Sequence, residues 1–105
     1  MAGPRVGVYA ISVAAEMAGT NVQNLRVYER KGLVAPDRTA GGTRLYSRHD
    51  VDRLGRIRDL LDLGLNLAGI ARVLELEADN ARLREEVRRL RTPGTRGRSA
   101  ALGPP

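Results

Sequence analysis

Residues 11–33 read ISVAAEMAGTNVQNLRVYERKGL. The stretch holds two short helical patterns, each followed by a glycine. Ser12 is expected to cap the first, because a hydroxyl there accepts from an unpaired backbone N–H. Val13, Ala14, Ala15 and Met17 carry that helix. Gly19 ends it, since glycine takes a left-handed C-cap without steric cost. Thr20 is expected to open the second helix, with Thr20 and Gln23 at capping-box spacing. This helix runs to Lys31 and stops at Gly32. Helix, short glycine-bearing turn, helix is the pattern of a helix-turn-helix.

The second helix has two unlike faces. Val22, Leu25 and one flank of Tyr28 share one side and should pack on the first helix. Gln23, Asn24, Val27, Arg30 and Lys31 share the other. That second set has the make-up of a major-groove surface. Its amides suit adenine, its arginine suits guanine or phosphate, and its valine suits a thymine methyl. Gln23, Asn24 and Arg30 are therefore the candidates for base or groove contacts. An ordinary solvated helix face is the plainer alternative.

Downstream, Arg38-Thr39-Ala40, Gly41-Gly42 and Thr43-Arg44-Leu45-Tyr46 read as a tight β-hairpin. A basic hairpin after a helix-turn-helix is a wing. Its Arg38 and Arg44 suit phosphates beside the groove, contacts that fix register without reading sequence. Ser47 and Asp50 then form a second cap signature. The helix that follows should turn Val51, Leu54, Ile57 and Leu61 inward and Arg53, Arg56 and Arg58 outward, and Gly64 ends it. Asn66 is expected to cap a fourth helix from Leu67. Gly69 inside that helix costs about 1 kcal/mol against alanine and is read as a point of close packing.

The last helix carries a heptad. Val73, Asn80 and Val87 take the a positions, and Leu76, Leu83 and Leu90 the d positions, of a coiled coil. A single polar a residue, here Asn80, fixes register and strand number at some cost in stability. The g–e′ pairs of a parallel coil would be Arg72–Glu77, Asp79–Arg84 and Glu86–Arg91, all opposite in sign. An amphipathic helix folded back on its own domain is the competing reading. From Thr92 onward Pro, Gly and Ser dominate, and residues 92–105 are expected to be a disordered tail.

Composition narrows the function. The 105 residues suit one compact domain with a small core. There is no Cys, no Trp and no Phe, and His49 is the only histidine. Disulfides, thiolate metal sites, Cys nucleophiles and multi-His metal sites are excluded. No paired carboxylates, nucleophile–base set or phosphate loop stands out, so an enzyme is not expected, nor a cofactor or metal. His49 falls at a helix start, where capping or a phosphate contact suits it. The net charge of +6 is segregated. Residues 26–58 carry +5, residues 59–80 carry −4 and residues 81–105 carry +5. Lys31 is the only lysine, and arginine's planar fork suits phosphate. A basic, Arg-rich face at 26–58 points to nucleic acid. The apolar run from Val6 to Ala15 has one positive charge before it and Glu16 after it, which does not suit a signal peptide. No apolar stretch approaches the ~20 residues of a membrane span, so no membrane partner is expected.

Tyr9 to about Leu76 resembles the DNA-binding domain of MerR-type transcription regulators. The resemblance is carried by Leu25-Arg26-Val27-Tyr28-Glu29-Arg30-Lys31-Gly32-Leu33, by Gly41-Gly42-Thr43-Arg44-Leu45-Tyr46-Ser47 and by Asp50-Val51. Within that family it is most similar to the heat-shock repressor (HspR-like) branch. Ile11-Ser12-Val13-Ala14-Ala15, the wing from Arg38 to Gly42, and Gly64-Leu65-Asn66-Leu67-Ala68-Gly69-Ile70 carry that likeness. It implies a winged helix-turn-helix that dimerises through a C-terminal helix and binds a near-palindromic site. Arg26, Arg44 and Tyr46 match positions used for DNA contact or for holding the wing. Many members carry Tyr where this chain has Val27. The family implies an antiparallel dimer coil, against the parallel charge pattern, and we follow the family because that arrangement better spaces two recognition helices one DNA turn apart. The heat-shock branch implies the chaperone DnaK as co-repressor. No drug- or metal-sensing part is expected.

The expected fold is mainly α with a small β-hairpin wing: a winged helix-turn-helix plus a C-terminal dimerisation coiled-coil helix. Its parts are a DNA-binding domain at 8–76, a dimerisation helix at 73–91 that overlaps it, and the tail. The expected function is a dimeric, sequence-specific repressor of stress genes, binding an inverted-repeat operator in double-stranded DNA in the bacterial cytoplasm, at the nucleoid. Arg26, Tyr28, Lys31, Arg38, Arg44 and Tyr46 are the candidates for backbone grip or wing placement. Val73, Leu76, Asn80, Leu83, Val87 and Leu90 are the candidates for the homodimer. An excisionase-type architectural protein and a coiled-coil interaction module are the alternatives.

Overall fold

The computed structural model describes the backbone of residues 3–102 and the side chains of residues 3–91. The tail expected at 92–105 falls outside the fully described residues. The elements are α1 (Ile11–Ala18), α2 (Val22–Arg30), β1 (Asp37–Arg38), β2 (Arg44–Leu45), α3 (Arg48–Asp62) and α4 (Leu67–Leu102). This is the mainly helical architecture with one antiparallel hairpin that the sequence predicts. Residues 1–70 and 71–105 form two units.

α1 starts without a side-chain cap. Its N-cap is Ala10, in extended conformation, rather than Ser12, which lies exposed in the first turn. The reason is non-local. The Tyr9 N–H donates to the Tyr46 carbonyl (2.9 Å) and the Tyr46 N–H to the Tyr9 carbonyl (2.7 Å). This bridge holds the lead-in straight up to Ala10, and the helix begins directly after it. Gly19 ends α1 at φ 75°.

α2 is capped by Asn21, not Thr20. The Asn21 Oδ1 accepts from the Asn24 N–H at 2.8 Å. Thr20 is committed to the end of α1, where its N–H donates to the Ala15 carbonyl at 2.9 Å. Its hydroxyl accepts from the Asn24 side-chain amide, and Asn21 caps the backbone.

The hairpin pairs Asp37 with Leu45 and Arg38 with Arg44. The Thr39 N–H donates to the Thr43 carbonyl (2.9 Å), closing a loop of Ala40, Gly41 and Gly42. The last residue of such a three-residue loop takes a left-handed conformation, and Gly42 has φ 88°.

α3 carries the expected capping box. The Ser47 Oγ accepts from the Asp50 N–H, and the Asp50 carboxylate accepts from the Ser47 N–H, both at 2.9 Å. Its buried stripe is Val51, Leu54, Ile57 and Leu60. The sequence reading put Leu61 there instead, and Leu61 is exposed. The stripe steps by three throughout, so it drifts around the helix; a single fixed face selects Leu61. Arg53 is also not simply outward. It is half-buried, and its Nε donates to the Leu33 carbonyl at 2.5 Å.

Asn66 caps α4 as expected, its Oδ1 accepting from the Gly69 N–H at 2.8 Å. Close packing at Gly69 is not found. A Cβ there would lie 3.4 Å from Asn66 Oδ1 and 4.0 Å from Leu65, ordinary contact distances within its own cap. Leu25, Tyr46, Leu54, Ile57 and Ile70 are fully buried and form the centre of the first unit's core. No helix among the described residues is long and apolar enough to cross a membrane.

Candidate nucleic-acid interface

α2 buries Leu25 and Tyr28 and turns Gln23, Arg26 and Arg30 to solvent, with Lys31 exposed just beyond its end. Asn24 and Val27 are half-buried. The Asn24 amide is already engaged: its Nδ2 donates to the Thr20 Oγ1 at 2.9 Å. Of the three base-reading candidates, Gln23 and Arg30 present open side chains and Asn24 does not. Tyr28 is a core side chain, 5% exposed. Burial pushes its phenol up, against an opposing hydrogen bond with Thr20.

The wing arginines are tied to α2. Glu29, the single acid of that helix, is half-buried. Its Oε2 accepts from Arg38 at 2.9 Å, and its Oε1 accepts from the Arg44 Nε at 2.5 Å. A second arm of Arg38 donates to the Gly42 carbonyl at 2.9 Å. Burial pushes the Glu29 carboxyl up, but the hydrogen bonds and charges of Arg44 and Arg38 outweigh it and hold it below the ordinary value. The same hydrogen bond raises Arg44.

Tyr46 lies beneath this cluster and is fully buried. Its hydroxyl has no hydrogen-bond partner among the described residues. Burial, then the charge of Glu29, pushes that phenol up. The structure therefore brings Arg38, Arg44 and Glu29 together and puts Tyr28 and Tyr46 in the core. Gln23 and Arg30 sit near opposite ends of α2.

Sequence reasoning missed Glu29. Its one signal was a lone acid inside a basic helix. His49 is exposed, and its backbone N–H donates to the Pro4 carbonyl at 2.8 Å. Among the described residues no group of three or more His, Cys, Asp or Glu could hold a metal ion.

In the second unit, Leu76, Leu83 and Val87 are about half exposed and Leu90 is 65% exposed. Val73 is half-buried and Asn80 exposed. The Asn80 Oδ1 accepts from Arg84 Nε at 2.5 Å, one turn on. Ion pairs one turn apart along this helix include Arg72–Glu75 at 3.1 Å, Arg82–Asp79 at 3.4 Å, and Arg88–Glu85.

Known proteins match this arrangement. The pattern of MerR HTH family regulatory proteins fits residues 9–77. A Streptomyces coelicolor protein named as heat shock protein HspR is 53% identical over 77 residues, covering 72% of this chain and 51% of that one. The HTH-type transcriptional regulator GlnR of Bacillus anthracis is 38% identical over 86 residues, covering 79% of this chain and 67% of that one. The chain thus spans about half the length of the HspR relative. Among solved structures, HiNmlR, a MerR family regulator lacking the sensor domain and bound to promoter DNA, is similar with a TM-score of 0.62. It is 26% identical, with 90% of this chain and 74% of that chain covered.

Proposed function

The chain belongs to the MerR HTH family of regulatory proteins, and from that premise we propose that it is a sequence-specific transcription regulator of double-stranded DNA. The carrying observation is one helix, α2, that exposes Gln23, Arg26 and Arg30 on its surface and holds both wing arginines through Glu29. Gln23 and Arg30 read base edges in the major groove, with Asn24 joining only if it leaves Thr20. Arg26, Lys31, Arg38 and Arg44 grip phosphates and set register. Tyr28 and Tyr46 act from the core, fixing α2 and the wing in place.

The protein works as a homodimer on an inverted repeat. The exposed stripe of Leu76, Leu83, Val87 and Leu90 supports this, since apolar d and a positions on a charged helix seek a second helix. Val73 and Asn80 continue that stripe. Two recognition helices then meet half-sites about one helical turn apart. Likeness to HspR supports repression of stress genes, with DnaK as co-repressor on that same likeness, in the bacterial cytoplasm at the nucleoid. Chromatin immunoprecipitation with sequencing tests the assignment. Peaks upstream of chaperone operons are expected. Peaks confined elsewhere would overturn the stress role, and no discrete peaks would overturn sequence-specific binding.

A further inference from the structure

We infer that Glu29 is the positioning residue of the wing: its carboxylate orients the Arg38 and Arg44 guanidinium groups for phosphate and so sets the preference for operator over other DNA. This rests on the DNA-binding reading above. Both carboxylate oxygens are used, one per arginine. Arg38 and Arg44 are directly paired across the hairpin, so their side chains leave the same face of it. Glu29 reaches them from the recognition helix, right after the buried Tyr28. Arg38 is further fixed to the hairpin tip through Gly42. The result is a brace joining α2 to both strands. Arg44 spends only its Nε on Glu29, and its two terminal nitrogens make no bond among the described residues. They remain the donors for a phosphate.

Simple electrostatics disfavours an acid here. A carboxylate between two phosphate-gripping arginines lowers the local positive charge and with it the attraction to any DNA. Its compensating effect is order. Free arginines lose rotamer freedom on docking, whereas arginines already held in place lose less. Charge acts on all duplexes alike, while orientation matters only where the wing seats in register. Loss of Glu29 therefore moves the two affinities in opposite directions.

The test uses the full chain, a duplex enriched from a random library by the wild-type protein, and a scrambled duplex of equal length. Fluorescence anisotropy gives Kd at two salt concentrations, and circular dichroism checks folding. Glu29→Gln should bind the enriched duplex about tenfold more weakly and the scrambled duplex as well as wild type or up to about threefold better. In an Arg38→Ala/Arg44→Ala background, Glu29→Gln should no longer weaken binding to the enriched duplex, and any gain from the lost charge, up to about threefold, should fall on both duplexes alike. Glu29→Asp keeps the charge but is a methylene shorter. It should lose part of the operator affinity with no gain on scrambled DNA, and it serves if the glutamine variant misfolds. Unchanged or tighter operator binding by Glu29→Gln overturns the inference, as does a loss of operator affinity that persists without the two arginines. If wild type enriches no duplex, the DNA-binding reading itself fails, and the inference with it.

Discussion

Residues 3–70 and residues 71–91 differ in whether their apolar stripe finds a core. In the first region Leu25, Leu54, Ile57 and Ile70 have no exposure at all. In the second, Leu74 alone is buried, while Leu76, Leu83, Val87 and Leu90 are 49–65% exposed. The first region buries the centre of its apolar pattern in its own core, although Val6, Val8, Val13, Met17, Leu61 and Leu63 stay exposed. The second carries an equally regular pattern that one chain leaves in water. The lesson is that periodicity reports a need for burial without saying who meets it. A core meets it in one region, and in our proposal a second copy meets it in the other.

The largest expected effect separates the two regions from the side of the core. Ile57→Ala should cost about 2–5 kcal/mol of stability, because the emptied site lies among packed neighbours. Thermal melting of the full chain reads it. A loss under 1 kcal/mol would mean that the first region is looser than its burial implies. Next, Leu83→Glu should weaken self-association by about 100-fold or more by setting two carboxylates at a d position. The fold of residues 3–70 should survive. Sedimentation equilibrium measures the first and circular dichroism the second; a variant that still dimerises would place the interface elsewhere.

Arg44→Ala gives a smaller effect within the reading head. It should weaken binding to all duplexes about tenfold and reduce the slope of log K against log salt by about one. A change in base preference alone would contradict its phosphate role. The Glu29 brace also predicts a pH dependence. Its carboxyl is held below the ordinary value of 4.5. The stabilisation is therefore complete above that pH and is lost as pH falls through the lower folded value. The melting difference between wild type and Glu29→Gln should be flat near neutrality and shrink in acid. A difference that grows in acid contradicts the brace. The smallest effect belongs to Tyr46→Phe. The hydroxyl is buried without a partner among the described residues, so its removal should leave stability unchanged or raise it by up to about 1 kcal/mol. A loss by melting would reveal a partner.

Much of the fold was legible because its signals are local. The box of Ser47 and Asp50, the Asn66 cap, the stop at Gly19 and the loop ending at Gly42 each lie within a few residues of what they bind. The misreadings have both non-local and local causes. Ala10 starts α1 because Tyr9 pairs with Tyr46 far along the chain, whereas Thr20 gives up the α2 cap to Asn21 locally, its hydroxyl accepting from the Asn24 amide instead. The candidate site divides the same way. The exposed face of Gln23 and Arg30 follows from helical geometry alone. Glu29 finds its arginines 9 and 15 residues away across a turn and a hairpin, a distance no spacing rule covers. Asn24 looked like a base reader by residue type, yet a local bond to Thr20 holds it.

The central claim is that two copies of this chain, joined through Leu76, Leu83, Val87 and Leu90, seat two such α2 faces and wings on one duplex. Sedimentation of the full chain with the enriched duplex, repeated across a salt series, tests it most directly. Two chains per duplex, with affinity falling steeply as salt rises, is the predicted result. One chain per duplex, or duplex binding indifferent to salt, would contradict it.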